Sequence, residues 1–184
     1  LSKPFNPQYL HFFSDISMDN LELIKAIWAD VDPTRKCNLL KDLETLMEVD
    51  TLVSCDDFGY FALDDEDPLV KSQAIHLFWE TSDIKLISTF VDLLKNNPNN
   101  DVKQAAASVL GRFVLLGELD EIPEESANQV QDFLISEYLS TPNTITKQRI
   151  LESLGYSSRE KVNQFIKLAL KKNDKDWQLA ALLA

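Results

Sequence analysis

Apolar residues recur along much of the chain at the three- and four-residue spacing of an α-helix, with polar residues between them. Three of these stripes are Ile84, Ile87, Phe90, Val91 and Leu94; Val130, Phe133, Leu134 and Tyr138; and Val162, Phe165, Ile166 and Ala169. Residues 96–100 (NNPNN) and 140–143 (STPN) interrupt the pattern with strong helix breakers. The pattern therefore predicts amphipathic helices that each bury one face and are separated by short turns.

A second pattern marks the start of alternate predicted helices, where a polar turn residue is followed by small and apolar residues at helical spacing. It is clearest at residues 101–111 (DVKQAAASVLG) and returns at 67–75, 146–155 and 176–182, with a weaker copy at 32–36. Successive copies are 35, 32, 44 and 31 residues apart, measured between Arg35, Val70, Val102, Thr146 and Trp177. One helical hairpin of this length cannot bury its apolar stripe alone, so neighbouring hairpins are expected to stack.

The repeat predicts a single all-α domain over residues 1–184, an α–α superhelix (solenoid) of stacked helical hairpins. Residues 1–31 are expected to form N-terminal capping helices. The repeats are expected at about residues 32–66, 67–98, 99–142 and 143–173, followed by a truncated repeat at 174–184. The acid-rich residues 117–129 are expected to form a loop insertion that accounts for the one long spacing. The apolar residues 179–184 predict a truncated array or an end covered by another subunit, so self-association through this end is one expectation.

The clearest copy of the pattern, at residues 101–111, resembles the first helix of the HEAT-repeat superfamily in its shorter bacterial form. The matching residues are Asp101, Val102, Lys103, Ala105, Ala106, Leu110 and Gly111. The copy at residue 67 departs from the family pattern with Phe78–Trp79 in place of Leu-Gly, and the copy at residue 146 has Arg149–Ile150 in place of the alanines. The resemblance covers about residues 32–184. It implies protein–protein contact along a curved surface and implies no enzymatic activity.

The charge of the chain opposes some classes of partner. Its net charge is −12 and its pI is near 4.5, which disfavours binding to nucleic acid and to anionic membranes. No apolar run approaches 18 residues, so no membrane-spanning helix is expected. Residues 42–70 and 113–146 contain no Lys or Arg, whereas residues 147–184 are basic. These stretches are interpreted as an ordinary solvated surface, an acidic ridge that steers a basic partner, or two ends that meet head to tail.

The residues that usually carry catalysis are sparse. His11 and His76 are the only histidines, and two isolated histidines do not build a metal-dependent hydrolase. No His-Glu dipeptide occurs, which excludes resemblance to the di-iron hydroxylases built on HEAT repeats. Cys37 and Cys55 are predicted to be free thiols in a reducing, cytoplasmic compartment, although a disulfide stays open. No catalytic, cofactor-binding or metal-binding residue is therefore assigned, and no cofactor is expected.

Two further groups of residues have structural interpretations. The acidic run 64–67 fails the EF-hand pattern, and it is expected to meet the positive end of a helix dipole. Trp28, Trp79 and Trp177 each have apolar neighbours, so all three are expected to pack in the core or between repeats.

The sequence favours a non-enzymatic interaction module or scaffold that binds a protein partner, with a basic surface on that partner as one expectation. If the family's usual geometry holds, polar residues of the second helices point away from the core and contact the partner: Lys85, Ser88, Asp92, Gln129, Asp132, Asn163 and Lys167. Two enzymatic alternatives stay open. Short HEAT proteins also resemble lyases that attach bilin pigments to proteins, and some helical-repeat proteins are DNA glycosylases, which the acidic charge disfavours here.

Overall fold

A computed structural model describes residues 5–184. The regular secondary structure in this part of the chain is entirely helical, without β-strands. The all-α class predicted from the sequence is confirmed. The chain divides into two compact units, an N-terminal unit that ends at Phe78 and a C-terminal unit, Trp79–Ala184. No helix within residues 5–184 combines the length and the apolar character needed to cross a membrane.

The helices follow one another with short connections. The N-terminal unit contains α1 (Pro7–Leu10), a 3₁₀ turn (His11–Phe13), α2 (Met18–Trp28), α3 (Pro33–Val49), α4 (Asp56–Ala62) and α5 (Pro68–His76). The C-terminal unit contains α6 (Leu86–Asn96), α7 (Asn100–Glu118), α8 (Glu124–Ser140), α9 (Thr144–Leu154), α10 (Glu160–Leu170) and α11 (Lys175–Leu183).

Each copy of the recurring pattern begins at the N-cap of one of the alternate helices or two to three residues after it. The caps of α3, α5, α7, α9 and α11 are Asp32, Asp67, Asn99, Asn143 and Asp174. Each side-chain oxygen accepts a hydrogen bond from a backbone N–H of the first turn, as in the 2.8 Å bond from Asp101 N to Asn99 Oδ1. These bonds satisfy N–H groups that have no partner inside the helix, so the pattern marks where the helices begin.

The C-terminal unit is built around α7. This helix packs against α9, which in turn packs against α11, while α6 and α8 contact α7 and α10 contacts α9 and α11. Leu110 of α7 is fully buried, as predicted. A Cβ on Gly111 would lie 3.0 Å from the Ser153 Cα of α9, and a Cβ on Gly117 would overlap the Ala127 side chain of α8. Both glycines therefore allow close approach of two helices.

The predicted loop insertion at residues 117–129 is wrong. Helix α7 continues to Glu118 and α8 begins at Glu124, so the connection is only five residues long, 119–123. The residues that account for the long repeat spacing belong to the ends of α7 and α8 instead. Leu116 and Ala127 are buried on either side of the connection, so the apolar face of each helix continues up to it. Ile84, the first residue of its predicted stripe, lies ahead of α6 and is partly exposed.

The core of the N-terminal unit is aromatic. The ring of Phe58 is fully buried, and it meets Phe13 at 4.8 Å and Trp28 at 5.5 Å between ring centroids, both edge-on. Helix α5 packs against α3 and α4. Such edge-to-face pairs add to the apolar area that the unit buries.

Candidate functional site

The seven predicted partner-facing residues are all exposed and all lie in the C-terminal unit. Lys85 immediately precedes α6, Ser88 and Asp92 lie on α6, Gln129 and Asp132 on α8, and Asn163 and Lys167 on α10. Together they are called the outer face. Their exposure follows from the phase of the apolar stripes, which place Phe90, Val130 and Val162 in the core.

Two acidic residues of the outer face have bonds within the chain that the sequence did not indicate. Asp132 forms an ion pair with Arg159, which immediately precedes α10, and Arg159 also donates a 2.7 Å hydrogen bond to Asn128 Oδ1. Asp92 accepts a 2.7 Å hydrogen bond from Asn96 one turn later in α6. A change at Asp132 therefore also alters the connection between α8 and α10, whereas a change at Asp92 removes only a local bond.

A cleft opens elsewhere in the C-terminal unit, beside α7. It has a volume of about 280 Å³ and is lined by Trp79, Glu80, Ser108, Arg112, Leu115 and Tyr156. These six residues define the Arg112 cleft. A neighbouring depression of about 270 Å³ shares Ser108 and Tyr156 with it and extends to Arg149, Glu152 and Ser153. Charged, hydroxyl and aromatic side chains therefore meet in one place, a combination typical of ligand sites.

Arg112 has no acceptor among residues 5–184. Its Nε atom is buried, yet the side chain makes no hydrogen bond and no ion pair with the described part of the chain. Glu80 lines the same cleft without forming an ion pair with Arg112. A guanidinium group carries five N–H donors in a fixed plane, and the four on the Nη atoms of Arg112 remain available to a ligand.

The second arginine of this region differs from Arg112 because it is neutralised. Arg149 forms an ion pair with Glu152. Burial raises the pKa of Glu152 above its ordinary value, and the charge of Arg149 acts in the opposite direction. The nearby hydroxyls are engaged as donors, since Ser108 donates to the Gln104 carbonyl at 3.2 Å and Ser153 donates to the Arg149 carbonyl at 2.9 Å. Their lone pairs can still accept.

The aromatic residues of the cleft are accessible. Tyr156 is 54% exposed and Trp79 is 38% exposed. Of the three tryptophans predicted to pack in the core or between repeats, Trp28 and Trp177 are buried, whereas Trp79 is not a core residue. Helix α5 ends at His76, so the helical spacing that supported a core position does not extend as far as Trp79.

The N-terminal unit holds a closed polar network around Asp65. Its Oδ2 accepts a 2.8 Å hydrogen bond from Lys36 Nζ and a 2.7 Å bond from Trp28 Nε1, and its Oδ1 accepts from Asp67 N at 2.9 Å. Burial acts to raise the pKa of Asp65, but these bonds and the charge of Lys36 outweigh it and hold the pKa below its ordinary value. Within the acidic run, Asp67 caps α5 as expected, whereas Asp65 belongs to a buried ion pair.

Metal binding and thiol chemistry gain no support in the part of the chain that the structure describes. It contains no group of three His, Cys, Asp or Glu side chains arranged to hold a metal ion. Cys37 and Cys55 are free. Burial raises the pKa of the Cys55 thiol to about 12, which makes it a poor nucleophile at neutral pH.

Comparison of the chain with protein-family models, with curated proteins and with solved structures finds no match. The two candidate sites, the outer face and the Arg112 cleft, are interpreted from their geometry and chemistry.

Proposed function

We propose that this chain is a non-enzymatic protein-interaction module of the HEAT-repeat type, which binds a protein partner through its outer face. The observation that carries the proposal is the packing order in the C-terminal unit, where α7, α9 and α11 contact one another in succession. A row of hairpins gives this order, because each first helix covers the apolar side of the next. The regular N-caps of the same helices support the repeat on independent, local grounds.

The proposed partner carries a basic surface. The net charge of −12 gives the chain a negative field. Part of that field comes from four exposed acids around the connection between α7 and α8: Asp120, Glu121, Glu124 and Glu125. Complementary charge steers the encounter between two proteins and raises the association rate more than the affinity. We place the module in the cytoplasm, where free thiols such as Cys37 and Cys55 remain reduced.

The test begins with capture of the partner from the native extract by the full chain, followed by its identification with mass spectrometry. The purified partner is then titrated by calorimetry against the wild type and Asp92→Lys. We expect Asp92→Lys to weaken binding about tenfold or more, because it reverses a charge on the outer face. Asp92 is preferable to Asp132, since Asp132 has an ion pair within the chain.

The matched control is Glu48→Lys, a charge reversal at an exposed residue near the end of α3 in the N-terminal unit. It changes the net charge by the same amount, so general electrostatics affects both variants equally. Equal affinity of the two variants for the partner would show that the outer face is not the binding surface. Equal melting temperatures of the variants and the wild type would exclude unfolding as the cause of any difference.

A further inference from the structure

We infer that the Arg112 cleft binds a ligand that carries a single carboxylate next to one aromatic ring. The inference concerns a surface separate from the outer face and does not depend on the proposed protein interaction. It rests on the unpartnered guanidinium, on the charges around it, and on the accessible aromatic side chains of the same cleft.

The first step concerns the donors of Arg112. The Nε atom is buried and has no acceptor among residues 5–184. A ligand in the cleft does not reach this enclosed atom, so it is bound by the two Nη groups, which are not among the buried atoms. Nη1 and Nη2 of a guanidinium present parallel N–H donors along one edge. A carboxylate matches this edge with two parallel hydrogen bonds, a geometry that a lone spherical anion does not satisfy.

The second step concerns the charge of the ligand. Among residues 5–184, Arg112 is the only basic residue that lines the cleft, and Arg149 in the neighbouring depression is already paired with Glu152. Glu80 adds a negative charge to the cleft itself. One available positive charge beside a carboxylate suits a monoanion. A phosphate dianion would meet stronger repulsion, to which the net charge of −12 also contributes.

The third step concerns the apolar part of the ligand. Trp79 and Tyr156 are partly exposed, and with Leu115 they provide flat and apolar surface in the same cleft as Arg112. Aromatic rings stack on such side chains in offset or edge-on arrangements. The volume of about 280 Å³ is at the small end of ligand pockets, which favours one ring over a larger fused system.

This chemistry has two sources: a free aryl carboxylic acid, or the C-terminal carboxylate of a protein chain that ends in Phe or Tyr. The experiment uses the full chain and follows backbone and Trp79 side-chain NMR signals during titration. The probes are phenylacetate, its uncharged analogue phenylacetamide, inorganic phosphate, and a short peptide that ends in Phe with either a free or an amidated C-terminus.

We expect phenylacetate or the free-ended peptide to cause saturable shifts at Trp79 and Tyr156. Phenylacetamide and the amidated peptide should bind at least about tenfold more weakly, because they lack the charge that Arg112 recognises. A peptide at least about tenfold tighter than phenylacetate would assign the carboxylate to a protein chain end, and comparable affinities would assign it to a free acid.

The variants separate Arg112 from its neighbour. Arg112→Met should weaken binding of the charged probe by about tenfold or more, and Arg112→Lys should weaken it as well, because a point charge lacks the paired N–H edge. Arg149→Met is the matched control and should leave the affinity within about twofold of the wild type, because Arg149 is paired with Glu152. The lysine variant keeps the test valid if the methionine variant does not fold.

Three results would overturn the inference. The first is that neither phenylacetate nor the free-ended peptide causes saturable shifts at concentrations up to about 10 mM, because a ligand that does not bind in this range is not specific. The second is equal binding of phenylacetate to the wild type and to both Arg112 variants. The third is tighter binding of inorganic phosphate than of phenylacetate, which would show that the cleft prefers an anion other than a carboxylate.

Discussion

The two units of the chain each remove a basic side chain from solvent, and they treat it in opposite ways. In the N-terminal unit, Lys36 is paired with Asp65, and the same carboxylate also accepts from Trp28. In the C-terminal unit, Arg112 is half-buried with a buried Nε that has no acceptor among residues 5–184. The first arrangement is complete within the fold, whereas the second leaves a donor without an acceptor in the described part of the chain.

The difference separates a structural polar group from one that is available for binding. A buried pair is strongly destabilised when one partner is removed, because the other charge stays buried and uncompensated. An arginine without a partner has no such dependence, and its loss relieves the protein of an unsatisfied donor. Removal of Asp65 should therefore lower the stability of the chain markedly, whereas removal of the Arg112 guanidinium should leave stability unchanged or raise it slightly.

The largest effect is expected for Asp65→Ala. It leaves the Lys36 ammonium and the Trp28 N–H without their acceptor, and it should lower the free energy of unfolding by about 3–5 kcal/mol. Urea denaturation measures this loss. The matched control is Asp64→Ala, because Asp64 is exposed, and it should change stability by less than about 0.5 kcal/mol. Similar effects of the two substitutions would show that the network is not structural.

Leu110→Ala tests how much apolar packing stabilises the C-terminal unit. Leu110 is fully buried in α7, so its truncation should cost about 2–5 kcal/mol. Leu139→Ala on the exposed side of α8 is the control and should cost far less, since Leu139 is 55% exposed. A loss below about 0.5 kcal/mol at Leu110 would mean that apolar packing around α7 does not stabilise this unit.

The pH dependence of stability should follow Asp65, with a smaller effect than its removal. Its pKa is lower in the folded chain than in the unfolded chain, so its contribution is present above the unfolded value of about 3.9. That contribution is lost as the pH falls through the folded pKa. The difference in stability between the wild type and Asp65→Ala should therefore narrow below about pH 4. A constant difference across this range would contradict a charged Asp65 in the network.

The smallest effect is expected for Arg112→Met. It removes a buried donor without an acceptor and keeps most of the side-chain volume, so stability should stay within about 0.5 kcal/mol or rise by about 1 kcal/mol. Thermal and urea unfolding of the ligand-free chain measure it. A loss above about 2 kcal/mol would show that Arg112 is satisfied inside the fold, and the contrast between the two units would then fail.

Local features of this fold were predictable from the sequence, and long-range ones were not. The starts of α3, α5, α7, α9 and α11 were located to within about three residues, because a capping side chain and the helix it caps are adjacent in the chain. The exposure of the outer face was also predictable, because the helical spacing of the apolar residues fixes which side of each helix faces solvent. The residues 117–129 were misread as a loop because their acidic and polar character resembles a connection, although Ala127 keeps the helical spacing and is buried.

The candidate site was largely hidden from sequence reasoning. The partners of Asp65 are 29 and 37 residues away along the chain, so no local pattern brings them together. Arg112 did carry a signal, because it is the only charged residue between Ala105 and Gly117, in a mostly apolar stretch. What the sequence does not contain is the missing acceptor, since the absence of a partner is a property of the whole packed unit.

The contact between Gly117 and Ala127 sets a rule for anyone who lengthens or grafts this pair of helices. The two helices that meet there leave room for a hydrogen atom and no more, so a Cβ at residue 117 would change their crossing. In a chain of duplicated modules, a shift of that kind at each junction would accumulate along the array. A designer who copies residues 99–142 thus inherits a spacing constraint, and a glycine at this junction is the means of keeping every copy in the same orientation.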